Sequence, residues 1–211
     1  MQKGDFVRIN YTGRLESGEI FDITDSDAAR KEGVFSEKAR YGPMPVIIGA
    51  NMLIPGLDKA IEGMNVGDKK DTEIEPEDAF GQRNSNLVKT VSKNVFKEHE
   101  PHPGMIVDFG SMRGRIQSIS GGRVRVDFNN PLAGKKLFYH IEVVEKIDGA
   151  ENKIRAVLDF FDVKSDIKLG EKEAEINAKL PAKMKETLSD MIIRHVEGIE
   201  RVKFIETYGK K

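Results

Sequence analysis

Val7, Ile9 and Tyr11 alternate with Arg8, Asn10 and Thr12, a period of two that marks a strand with one buried and one wet face. The same alternation returns at Met105, Val107 and Phe109, at Val124, Val126 and Phe128, and at Leu137, Tyr139, Ile141 and Val143. Thr72 and Ile74 belong to a further short strand that Pro76 ends. Against these strands stands one short helical pattern. Pro55 opens it, and Leu57, Ala60, Ile61 and Met64 fall at i, i+3, i+4 and i+7 on one apolar face. Gly63 is the natural stop. Strands in runs with few helices between them predict the α+β class.

The rest of the chain reads as attachments to that frame. Residues 23–45 are polar and irregular, a long excursion with one helical turn, closed by Gly42, Pro43 and Pro45. Val46 to Ile48 is a short strand. From about 82 to 130 the texture changes to loops and hairpins, with Ser120-Gly121-Gly122 as a turn between strands. Ile154, Val157, Leu158 and Phe161 mark a helix, Ala174 to Leu180 a strand, Pro181 to Ile192 a second helix, and Val202 to Tyr208 a last strand. The expected organisation is a discontinuous domain over 1–83 and 131–149, an inserted β-rich domain over 84–130, and an α+β module over 150–211. Charge follows these divisions. Residues 82–130 carry 8 basic and 4 acidic side chains, while 1–81 with 131–149 carry 13 and 19.

Several function classes fall away. The net charge of −1 argues against a dedicated nucleic-acid binder. The chain has no cysteine, so disulfides, thiol catalysis and cysteine-ligated metals are excluded. No apolar run approaches about 18 residues, and the start lacks a signal-peptide core, so a cytoplasmic protein without membrane association is expected. There is no phosphate loop, G-x-S-x-G elbow or H-E-x-x-H motif. His99 and His102 sit three apart in a Pro-rich loop, but no carboxylate or cysteine cluster completes a site, so no metal is expected. His195 reads as a helix C-terminal charge.

What remains is a set of aromatic and apolar residues beside one carboxylate: Tyr11-Thr12-Gly13, Phe21-Asp22, Leu53-Ile54-Pro55-Gly56-Leu57 and Ala79-Phe80-Gly81. Read from the residues alone, these are as much core as site. Taken together and in order, however, YTGRLESGEIFD, IIGANMLIPGLDKAIEGMNVGD and PEDAFG resemble the signature segments of FKBP-type peptidyl-prolyl isomerases. The stretch from Phe80 to Val144 is similar to the SlyD-like branch, in which an inserted chaperone domain replaces the flap. Residues 23–45 and 150–211 resemble features of longer archaeal-type members.

The resemblance implies an antiparallel sheet wrapped on a short helix, an inserted small β-rich domain and a C-terminal α+β module. It implies isomerisation of X-Pro bonds without a cofactor, on unfolded or nascent polypeptides. The pocket would be lined by Tyr11, Phe21, Asp22, Leu53, Ile54, Leu57, Phe80 and Tyr139. Leu57 would be its floor, where short members usually have Trp. The Ile54 amide would hold a substrate carbonyl. Phe80 stands where short members have Tyr, so strong macrolide binding is not implied. The insert would bind unfolded chains through Val91, Val95, Phe96, Met105, Val107 and Phe109, although the same residues also suit its own core. The competing reading is a holdase or assembly chaperone with little isomerase activity. The C-terminal module is a candidate for homodimerisation.

Overall fold

The opening alternation becomes β1 (Phe6–Leu15), with Phe6, Val7, Ile9 and Tyr11 buried. Gly18, at φ +86°, supplies the left-handed turn into β2 (Ile20–Ile23). The computed structural model describes residues 1–96, 100–110 and 112–207. It divides into two units, one of residues 1–74 with 137–211 and one of residues 75–136.

In the first unit, the excursion over 23–45 holds α1 (Ser26–Lys31), capped by Asp25, whose Oδ1 accepts from the Ala28 amide at 2.8 Å. β3 (Met44–Ile47) then pairs antiparallel with β1. This strand starts two residues before the expected Val46. Pro45 is tolerated because β3 has one sheet partner and lies at an edge. α2 (Pro55–Ile61) has Pro at its first turn and buries Leu57, Ala60 and Ile61, each worth up to about 1.5–3 kcal/mol for the larger side chains. Gly56 is what lets this helix lie close to β4 (Lys69–Ile74). A Cβ there would stand 2.3 Å from Ile74 Cγ2.

The second unit contains β5 (Val88–Ser92), β6 (Ile106–Phe109), β7 (Met112–Ser120) and β8 (Arg123–Asp127) in the order β5-β8-β7-β6. Gly121 and Gly122 both have positive φ, as a two-residue hairpin turn requires. Val107, Ile116, Val124 and Val126 form its core, and Arg83 pairs with the buried Asp127 carboxylate.

The chain re-enters the first unit through β9 (Leu137–Lys146), which lies between β1 and β4. α3 (Ala150–Phe160), β10 (Ile167–Leu169), β11 (Glu173–Ile176), α4 (Ala182–His195) and β12 (Arg201–Phe204) follow. β10 pairs antiparallel and β12 parallel with β11, so β11, α4 and β12 make a βαβ crossover. β10 has no clear alternation in the sequence and was not expected. β11 ends at Ile176, short of the expected Leu180, because the Ala178 amide turns back onto the Ile176 carbonyl and Pro181 offers no donor. Tyr208, placed in the expected last strand, lies outside the described residues. Phe6 and Ile47, from β1 and β3, share one apolar core with Ile154, Leu158, Leu188 and Ile192. The fold is thus α+β, with two antiparallel sheets, a small mixed sheet of β10, β11 and β12, and the α3–β12 segment sharing a core with the first sheet. Among the described residues, no helix is long and apolar enough to cross a membrane.

Candidate active site

Sheet register gathers the aromatic residues. Gly13 pairs with Tyr139 across β1 and β9, and with Asp22 across β1 and β2. The β1–β2 register then slips: Arg14 pairs with Ile20, and Phe21 is the extra residue of a bulge. A bulge re-aims side chains, and here it turns Phe21 and Asp22 to the same neighbourhood. The Phe21 ring meets the Tyr139 ring edge-to-face at 5.7 Å, and Tyr139 meets Tyr11 at 5.8 Å. The Tyr11 hydroxyl donates to Asp22 Oδ2 at 2.9 Å.

Gly13 makes this cluster fit. A Cβ on Gly13 would lie 2.7 Å from Phe21 Cζ and 3.0 Å from Tyr139 Cε1. Gly13 carries no chemistry of its own, so its sequence neighbourhood alone assigns it no role. A glycine inside a period-two strand was the available signal, since it often marks a close approach. Met44 was also missed. Its sulfur lies 4.0 Å from the Tyr11 hydroxyl. No periodicity marked it, because it sits between Pro43 and Pro45.

Electrostatics keep the phenols neutral. Burial is the main force that raises the Tyr11 phenol well above its ordinary value, and the Asp22 charge adds to it. Tyr139 is raised for the same two reasons in the same order. A proton-transfer catalyst needs a pKa near working pH, and neither phenol has one. The cluster therefore offers apolar ring edges, two neutral phenol hydroxyls and one exposed carboxylate.

Of the other expected pocket residues, Leu57 is buried on α2, and Leu53 and Ile54 are half-buried in the turn that leads into it. The Ile54 carbonyl is already used, accepting from Leu57 and Asp58 amides. Phe80 belongs to the second unit, in the tight turn after Pro76–Asp78, and is 36% exposed. In that unit Val107 lies in the core, with Val91, Phe96, Met105 and Phe109 partly buried against it. Val95 is 52% exposed, Ile106 49% and Met112 48%.

His140 sits on β9 beside the adjacent β4, with Nδ1 2.7 Å from Asp71 Oδ1 at an exposed site. Among the described residues no group of three or more His, Cys, Asp or Glu could hold a metal. His99 lies outside them.

Comparison with known proteins points the same way. Residues 1–98 match the family described as FKBP-type peptidyl-prolyl cis-trans isomerase, and residues 96–132 match the FKBP26 IF domain. The short-type peptidyl-prolyl cis-trans isomerase of Methanocaldococcus jannaschii is 31% identical over 145 residues, 68% of this chain and 92% of that protein. The SlyD isomerase of Haemophilus influenzae is 34% identical over 149 residues, 68% of this chain and 71% of that protein. The FKBP-type 16 kDa isomerase of Escherichia coli K12 is 32% identical over 151 residues, 69% of this chain and 93% of that protein.

Proposed function

The chain belongs to the FKBP-type peptidyl-prolyl cis-trans isomerases, and from that premise we propose that Tyr11, Phe21, Asp22, Leu53, Ile54, Leu57 and Tyr139 form its prolyl site. The observation that carries this reading is the cluster of Tyr11, Phe21, Asp22 and Tyr139 around Gly13. Rotation about an X-Pro bond crosses about 18–20 kcal/mol because resonance holds the amide planar. The planar amide is charge-separated and the twisted one less so. A dry aromatic pocket therefore disfavours the planar form relative to the twisted one, which is differential binding of the transition state. Leu57 is the floor under the proline ring, and the Ile54 amide holds a substrate carbonyl. Asp22 fixes the Tyr11 hydroxyl by accepting its proton in a hydrogen bond. No group has to gain or lose a proton.

The residue range 84–130 acts in this reading as an inserted chaperone domain, with 1–83 and 131–149 as the isomerase domain and 150–211 as a C-terminal domain. Unfolded chain docks on Val95 and on the accessible rims of Val91, Phe96, Met105 and Phe109. Val107 supports them from beneath. β6 is an edge of its sheet, and Ile106 on it is exposed, so an extended segment can add as a further strand. Carried on one chain, the captured segment has a raised effective concentration at the prolyl site. The substrates are unfolded or nascent proline-containing polypeptides.

The test pairs two assays on the full chain and on a deletion of 84–130. The deletion is expected to isomerise a proline tetrapeptide normally but to lose most of its effect on a refolding protein. Equal loss on both substrates refutes the division of labour. Aggregation suppression without tetrapeptide isomerisation favours a holdase instead. Homodimerisation through 150–211 is a further part of the proposal. Leu169, the last residue of edge strand β10, and Ile205, just past edge strand β12, are both exposed. Truncation at 149 would uncover Phe6 and Ile47, so sedimentation of the full chain against Leu169→Lys is the cleaner check. A monomeric wild type refutes it.

A further inference from the structure

The sheet of the second unit has two unlike faces. Val124 and Val126 on β8 point into its core and are fully buried. Arg123 and Arg125 alternate with them and stand exposed on the other side. Their ladder partners share that side: Thr90 and Ser118 flank Arg125, while Ser92 and Ser120 flank Arg123. A bulge between Ile116 and Ser118 lets Ile116 and Ile119 both reach the core while Ser118 stays opposite Arg125. Arg115 extends the same face, between Ile106 on β6 and Asp127 on β8.

The carboxylates of this face are already committed. Asp108 holds Arg113 at 2.9 Å. Asp127 Oδ2 accepts from Arg83 and, at 3.0 Å, from Gln117. Its Oδ1 accepts from the Asn129 amide at 2.9 Å and from the Asn129 side chain at 2.7 Å. Arg115, Arg123 and Arg125 are left with no carboxylate among the described residues. Three like charges on two neighbouring strands repel one another, most strongly at low salt. An anionic partner removes that repulsion, and the hydroxyls between the arginines supply further donors.

Two observations choose the partner. Phe96, Phe109 and Phe128 pack ring to ring on the core side, which leaves the arginine face, among the described residues, with no ring on which a base could stack. A chain of net charge −1 also offers a dense polyanion little long-range attraction. Ile106, by contrast, puts an exposed apolar side chain directly beside Arg115, on a strand whose outer edge is open. A strand added along β6 turns alternate side chains to the arginine side. Backbone donors, an apolar contact and guanidinium groups in one place suit an extended polypeptide that mixes acidic and apolar residues.

We propose that this face is a docking surface for unfolded polypeptide segments rich in Asp and Glu, held by Arg115, Arg123 and Arg125. The proposal rests on the reading of 84–130 as a chain-binding domain and gives that domain a substrate class.

The experiment is fluorescence anisotropy on the full chain with two labelled, unstructured peptides. One contains Glu, Leu, Gly and Ser, and the other has Gln in place of every Glu. The wild type is expected to bind the Glu peptide about tenfold more tightly, as three exposed ion pairs together provide, and the difference narrows as salt is raised. A triple variant with Arg115→Gln, Arg123→Gln and Arg125→Gln is expected to lose that tenfold and to bind the Gln peptide as before. It should unfold in urea no earlier than the wild type, because it relieves repulsion between exposed groups. Lysine at the same three positions keeps the charge and should hold the Glu peptide better than glutamine does. Lys89→Gln, opposite Val126 and so on the other face, should leave the ratio unchanged. Equal wild-type affinity for the two peptides, or a triple variant that keeps the preference, overturns the proposal. So does polyuridine RNA that binds more tightly than the Glu peptide at equal salt and is lost in the triple variant. A Gln peptide that fails to bind at all sinks the apolar chaperone reading, while the Glu peptide and the triple variant still decide this face.

Discussion

Replacing Gly13 by alanine puts one methyl group between the two rings that define the proposed prolyl site. Its carbon would stand 2.7 Å from Phe21 Cζ, 3.0 Å from Phe21 Cε2 and 3.0 Å from Tyr139 Cε1. Carbon atoms pack best at about 3.5–4.0 Å, so at least one ring must retreat by roughly 0.7 Å or more. Tyr139 is 5% exposed and has no room to do so. Phe21 is half-buried on a four-residue strand, and it is the ring that yields. Overpacking costs about 1–3 kcal/mol in a tight core, and the low end applies where one partner can move outwards. Against this, Gly→Ala in an ordinary extended strand recovers about 0.4–1 kcal/mol from the unfolded chain. The net loss of stability is then roughly 0–0.6 kcal/mol, small enough to leave the protein folded. Activity should suffer more. A misplacement of about 1 Å in a positioned site can cost on the order of 100-fold, so a shift somewhat below that predicts a fall of about 10-fold or more in kcat/KM. A proline tetrapeptide assay beside urea unfolding measures both. If kcat/KM stays within about twofold while the unfolding midpoint drops, the Phe21–Tyr139 pair is not part of the site, and the reasoning from close approach to catalysis is wrong.

Three further outcomes are expected. Gly56→Ala sets a Cβ 2.3 Å from Ile74 Cγ2 beneath α2, so urea unfolding should show a loss at the upper end of about 1–3 kcal/mol; a loss below that of Gly13→Ala would contradict the packing account. Burial raises the Asp58 carboxyl above its ordinary value, with the Gly49 amide opposing, so the folded state is penalised for charging it. Stability is therefore lost as pH rises from the ordinary carboxylate value through the raised one. Asp58→Asn should stabilise the protein at pH 7 and make little difference at pH 3; equal gains at both would refute the assignment. Because burial holds the Tyr11 and Tyr139 phenols protonated well above their ordinary value, kcat/KM should stay flat through pH 10. A decline centred near pH 10 would show that a phenol of ordinary acidity matters.

Much of the local architecture was legible because periodicity reports burial directly. Val7, Ile9 and Tyr11 alternate because one face of β1 is packed, and Leu57, Ala60 and Ile61 recur at helical spacing because one face of α2 is packed. Where burial is partial, the pattern fades. β10 carries Ile167 and Leu169 on a strand of three residues, too short to show a period. Ala178 and Leu180 continue an alternation that the backbone abandons after Ile176, since a side-chain pattern does not register where an amide finds its partner. In the second unit the alternation of Met105, Val107 and Phe109 follows the face that packs on the core, and Ile106 between them is exposed.

The sequence by itself determined the strand and helix faces, the absence of thiol chemistry, and the family, through segments whose residues must recur in one order to build one site. Tertiary structure alone decided what those residues touch. The bulge that sends Phe21 and Asp22 to the same side depends on a one-residue slip between two strands, and nothing in either strand's own pattern announces it. The space at Gly13 exists only because Phe21 and Tyr139 arrive there from strands far apart in the chain. The bond from Arg40 to the end of α3 spans 119 residues. Such contacts are fixed by the closing of the sheet and the shared core, which act at a distance that sequence periodicity does not carry.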